Sequence, residues 1–174
     1  GAGILYRQVA ADGDPRALYR LARLREAARD QEGAETLYRQ AADQGSSSAM
    51  ARLAVLREAA GDREGAETLA RQTADHGDPG TLVRLAKMRE KAGDRKGAET
   101  LYREAADHGD PVALVHLAEM REAAGDREGA ETLARQTADY GMNRSLPDNP
   151  SGTILTGRWP NGLDPDGKPT PPWQ

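Results

Sequence analysis

The pentapeptide Gly-Ala-Glu-Thr-Leu begins at Gly33, Gly65, Gly97 and Gly129, at intervals of 32 residues each time. Residues 65–96 and 97–128 match at 23 of 32 positions, and Gly1-Ala2-Gly3-Ile4-Leu5-Tyr6-Arg7 stands in register one period earlier. Such self-similarity constrains the fold more than any local propensity, because each period is one supersecondary unit stacked on its neighbours. The residue after the shared leucine alternates, Tyr38 and Tyr102 against Ala70 and Ala134. Ala41 and Ala105 alternate in the same way with Thr73 and Thr137, so the ancestral unit is a 64-residue pair. The periodicity stops near Gly141.

Each period carries the punctuation of two helices. Asp78-Pro79 supplies an N-cap acceptor and a first-turn proline. The predicted helix runs through Thr81, Leu82, Leu85, Ala86 and Met88 to Ala92, and Gly93 gives the left-handed stop. Asp94 starts the next helix, apolar at Ala98, Leu101, Tyr102, Ala105 and Ala106 and ended by Gly109. Links this short make consecutive helices antiparallel. The reading is an all-α array of helical hairpins.

In residues 111–118 the Leu-x-x-Leu-Ala pattern (Leu114, Leu117, Ala118) resembles the first helix of a tetratricopeptide repeat. Gly125-Asp126 falls at that repeat's turn, and Ala130, Ala134 and Thr137 at packing positions of its second helix. The ending Ala-Ala-Asp-His-Gly at 105–109 is similar to the close of Sel-one-like repeats. The resemblance covers residues 1–140 and implies a right-handed superhelical solenoid, an unpaired helix followed by four hairpins. Two departures stand out. The period is two residues short of the usual tetratricopeptide length, and Arg25, Arg57, Arg89 and Arg121 take a place usually aromatic, so that position is replaced or turned outward.

Thirty alanines, all before Gly141, and the absence of phenylalanine suit closely spaced helices in a one-dimensional stack. With no cysteine there is no disulfide, thiolate nucleophile or cysteine zinc site. No apolar run reaches the roughly 18–20 residues of a membrane span, and the first residues lack a signal pattern. A formal charge of −4 disfavours a dedicated nucleic-acid binder. Twenty arginines against four lysines fit a high-GC bacterial source, with a cytoplasmic protein as the default.

Catalytic constellations are not found. His76 and His108 hold equivalent repeat positions, on the order of one helix spacing (8–10 Å) or more apart, too far to share a metal. Glu26, Glu58, Glu90 and Glu122, and Glu35, Glu67, Glu99 and Glu131, recur every period and read as solvated stripes, with Glu67/Arg71 and Glu131/Arg135 pairs at i,i+4. Ser46-Ser47-Ser48 replaces Asp-Pro and reads as capping, and Asp164-Pro165-Asp166-Gly167 as a tight turn. The expectation is a non-enzyme without metal or cofactor.

By the resemblance, first helices line a concave groove. One column reads Arg20, Arg52, Arg84 and His116, and its neighbour Tyr19, Ala51, Val83 and Val115. Arg23, Val55, Lys87 and Glu119 follow one turn on, with Lys91 beyond. Arginine forks suit carboxylates and carbonyls, while tyrosine and valine offer apolar contact. The competing reading pairs these arginines with Glu26, Glu58, Glu90 and Glu122 on their own helices. The groove lacks the asparagines of the family's carboxylate clamp, so that activity is not carried over.

Residues 141–174 differ, with seven of ten prolines, both tryptophans and no alanine. Trp159 and Trp173 predict a tail that packs as a cap on the final hairpin, with disorder as the alternative. Pro169–Gln174 could also fill its own groove or a neighbour's. The chain opens inside a repeat without methionine, which reads as a fragment of a longer protein or an open face at Ile4, Leu5 and Val9. The functional expectation is a scaffold binding an extended peptide or protein partner in a partly basic groove. The alternative is a structural module, part of a larger signalling protein, that self-associates through its terminal helix or tail.

Overall fold

The computed structural model describes residues 13–139; the expected leading helix, the expected cap and both tryptophans lie outside them. Eight helices are described: α1 (Pro15–Ala27), α2 (Gln31–Asp43), α3 (Ser47–Ala59), α4 (Arg63–Asp75), α5 (Gly80–Lys91), α6 (Arg95–Asp107), α7 (Pro111–Ala123) and α8 (Arg127–Asp139). Among the described residues there is no strand. The fold is a helical repeat solenoid. The described residues fall into two compact units, divided between Leu101 and Tyr102.

Caps set the boundaries. Asp14 and Asp110 accept the N–H groups of Arg16 and Val112 at 2.8 Å each, with Pro15 and Pro111 as first helical residues. Ser46 caps Ala49 in the same role, as its place in the repeat predicts. The third such start differs from the expectation: α5 begins at Gly80, not Pro79. Gly80 stands where the other repeats carry Arg16 and Val112, and glycine orders in a helix at greater entropic cost. Asp78 still accepts the Gly80 N–H at 3.2 Å.

The second helices explain the invariant glycine of the pentapeptide. Asp30, Asp62, Asp94 and Asp126 accept the N–H of Gly33, Gly65, Gly97 and Gly129 at 2.9–3.0 Å. A Cβ on those glycines would lie 2.3–2.6 Å from the capping carboxylate oxygen, so any side chain there displaces the cap. The predicted stops at Gly93 and Gly109 have φ of 82° and 81°. Arg29 occupies the place of Gly61, Gly93 and Gly125 and is the one described non-glycine residue with positive φ, at 61°.

In the first unit, α1 packs on α2 and α3 on α4, while α2 meets α3, α4 meets α5 and α3 meets α5. Leu18, Ala22, Ala34, Tyr38, Ala41, Ala49 and Leu53 form one buried cluster across the first two hairpins. Alanines bring the helices close, and few large side chains are needed to fill the space. Thr73, where Ala41 stands one period earlier, is buried and donates its hydroxyl to the Ala70 carbonyl at 2.8 Å.

In the second unit α7 packs on α8. Tyr102, Ala105, Leu114, Val115, Leu117, Ala118, Ala130 and Ala134 are buried there. Among the described residues no helix is long and apolar enough to cross a membrane.

Candidate basic face on the first helices

The first-helix residues separate into three groups. Val83 and Val115 are buried, each 6% exposed, so they lend their side chains to packing and not to a groove floor. Arg52 is half-buried and committed: its Nε donates to Glu26 Oε2 at 3.1 Å and its Nη2 to Glu26 Oε1. The partner lies on α1, the preceding first helix, whereas the same-helix pairing would have used Glu58. His116 stacks on Tyr102, ring centroids 4.9 Å apart and 20° between planes, and its Nδ1 lies 3.1 Å from Glu119.

The third group faces solvent. Arg20, Arg23, Arg84, Lys87 and Lys91 are exposed, and Tyr19 is half-exposed against Tyr38, centroids 5.5 Å apart. Arg84, Lys87 and Lys91 stand at i, i+3 and i+7 on α5, one face of the helix. These three form no hydrogen bond or ion pair among the described residues. On α1, Leu24 lies beside Arg20 and Arg23 and is 45% exposed, the one exposed large hydrophobic residue among those described.

Two carboxylates of the first helices, Glu26 and Glu58, leave the solvated stripe their recurrence suggests, whereas Glu90 and Glu122 are exposed as expected. Glu26 accepts the Tyr38 hydroxyl at 2.9 Å in addition to Arg52. The Arg52 hydrogen bond holds the Glu26 carboxyl below its ordinary range despite burial, with Tyr38 adding to the effect. Burial and the bond to Glu26 push the Tyr38 phenol up, and the same carboxylate raises Arg52.

One repeat later Ala70 stands at the Tyr38 position and has no hydroxyl. There Glu58 accepts from Arg89, Nε to Oε1 at 2.8 Å and Nη2 to Oε2 at 3.0 Å. Arg89 also donates Nη1 to Glu67 at 2.7 Å, and Arg71 reaches Glu67 at 2.9 Å, the i,i+4 pair expected from sequence. Burial works against the charge on Glu67, but Arg89 and Arg71 outweigh it and hold the carboxyl low. The Glu58 bonds raise Arg89 above the ordinary arginine range.

Thus the arginine column at the aromatic position splits. Arg89 turns inward, while Arg25 and Arg121 pair outward with Asp30 at 2.6 Å and Asp126 at 2.9 Å. The first unit therefore neutralises its inner cations with its own glutamates and leaves the α5 cations unmatched. Among the described residues no cluster of His, Asp or Glu is placed to hold a metal ion. A separate cavity of about 500 Å³ lies among α6, α7 and α8, with Leu114, Leu117 and Leu133 in its lining.

Solved structures with a similar fold were found. One is a protective antigen of uropathogenic Escherichia coli strains displaying an SLR fold: TM-score 0.59, 23% identity, 89% of this chain covered and 36% of the other. Another is a Sel1 repeat protein from Oxalobacter formigenes: TM-score 0.58, 20% identity, coverage 90% and 48%. The chain has a Sel1-like repeat fold. It spans less than half the length of either Sel1-like structure. No family model and no curated protein matches the sequence.

Sequence reasoning missed the Arg52–Glu26 and Arg89–Glu58 ties that link the Sel1-like hairpins. Arginine at a normally aromatic position was the available signal, together with the Tyr38/Ala70 alternation.

Proposed function

We propose that the protein is a non-enzymatic scaffold whose first-helix face takes an extended, carboxylate-bearing peptide from a protein partner. The observation that carries the reading is the unpaired cation row Arg84, Lys87 and Lys91 on α5, on a chain of net charge −4. Arg20 and Arg23 add exposed cations on α1, and Tyr19 and Leu24 add apolar contact beside them. Arginine donates a bidentate fork of N–H groups to a carboxylate, and lysine acts as a mobile point charge. Arg52 contributes to this face by holding Glu26, which keeps that carboxylate from repelling an acidic ligand.

Calorimetric titration of the full chain with an extended Glu/Asp-rich peptide, and with its Gln/Asn counterpart, tests the reading. The acidic peptide is expected to bind, weakening as salt rises, and the neutral one to bind at least tenfold more weakly. Equal affinity for both would overturn it.

A further inference from the structure

The cavity of the second unit is built from residues that the peptide reading does not use. Leu114 and Leu117 of α7 are buried at its base, and Leu133 of α8 lines it half-exposed. It is an open cleft of about 500 Å³, large enough to take a bulky side chain. Asp107 and Glu128 lie on its rim, both exposed and without an ion-pair partner among the described residues. The neighbouring Arg121 and Asp126 pair at 2.9 Å, and with Arg103 also in the lining the carboxylates there outnumber the cations by three to two.

The occupant this chemistry fits is a large aromatic side chain next to a cation. The sequence after α8 contains one: Arg158-Trp159-Pro160, twenty residues beyond Asp139. Gln136, one turn before the end of α8, already lines the cavity. A random coil of twenty residues has a typical end-to-end distance of about 25 Å, and that reach is ample for the return. Attachment to the same chain also gives a local concentration of about millimolar, which favours the intramolecular occupant over a second copy.

We propose that Trp159 seats its indole against Leu114, Leu117 and Leu133 of its own chain, with Arg158 set against Asp107 and Glu128. Trp173 lacks an adjacent cation and is not the anchor.

Trp173→Phe leaves Trp159 as the sole tryptophan of the full chain. Its emission should be blue-shifted, and acrylamide should quench it several-fold less than free N-acetyltryptophanamide, at every protein concentration. In that background Leu133→Glu, and separately Asp107→Lys with Glu128→Lys, should redden the emission and restore quenching. The charge pair, on exposed side chains, decides where Leu133→Glu lowers helicity by circular dichroism. Emission like the free probe, protection indifferent to the charge pair, or protection that grows with protein concentration would each overturn the proposal.

Discussion

Arg89 grips both oxygens of the Glu58 carboxylate through its Nε and Nη2, with both side chains only 6% exposed. The pair ties α5 to α3 across a repeat boundary, and Glu67 on α4 completes it at 2.7 Å. Removing one partner of a buried pair strands the other charge, which costs about 3–5 kcal/mol. Arg89→Met should therefore lose stability on that scale in urea denaturation. The double variant Arg89→Met/Glu58→Leu should recover most of the loss, because neither charge is then buried alone.

Tyr38→Phe removes a hydroxyl from Glu26 and leaves the ring packing intact. A hydrogen bond to a charged group contributes about 1.5–3 kcal/mol. The partly exposed Glu26 keeps Arg52, so the lower end is expected in chemical denaturation. Ala70→Ser, at the matching position, should give no comparable gain, since a serine hydroxyl falls far short of the reach of the tyrosine phenol and Glu58 already takes two bonds from Arg89.

Acid should loosen the first unit. Glu26 and Glu67 both titrate below their ordinary value of 4.5 in the folded chain, held by Arg52 and by Arg89 with Arg71. A depressed folded value means their contribution is complete above about pH 4.5 and is lost as pH falls through the folded values. Thermal melts below pH 4.5 should therefore show a falling Tm, with a shallower fall in Glu67→Gln, whose melting at neutral pH is already lower.

Arg29 holds φ of 61° where the later repeats place glycine. The left-handed conformation costs an L-residue roughly 1–2 kcal/mol, and part of that is offset by the extra chain entropy of glycine. Arg29→Gly should stabilise the protein by about 1 kcal/mol, a rise in Tm of roughly 2–4 °C by calorimetry. Arg29→Ala should not reproduce it.

Most of the fold is legible in the sequence because its signals are local and repeated four times. Asp-Pro starts, Gly-Asp stops and the period-3.6 alanines each specify one helix boundary or face, and the helices form there. The exception is the start of α5, which falls one residue later than expected, at Gly80. Glu67/Arg71 was legible at i,i+4, but the pairing between hairpins was not, because it joins residues 22 to 31 apart in sequence, as in Arg89–Glu67 and Arg89–Glu58. Periodicity shows that Glu58 recurs every 32 residues but not that an arginine from the next hairpin covers it. Burial divided the expected groove in the same way. Val83 and Arg84 are adjacent in sequence, yet one is packed inside and the other exposed.

The scaffold reading rests on the cations that this pairing leaves over. Arg84→Glu/Lys87→Glu/Lys91→Glu reverses the exposed row of α5 without touching Arg52 or Arg89, so helicity and melting should be preserved. Fluorescence anisotropy with a labelled acidic peptide is the direct measurement. A drop in affinity of at least tenfold at constant helicity is the predicted result; wild-type affinity in the triple variant would contradict the account.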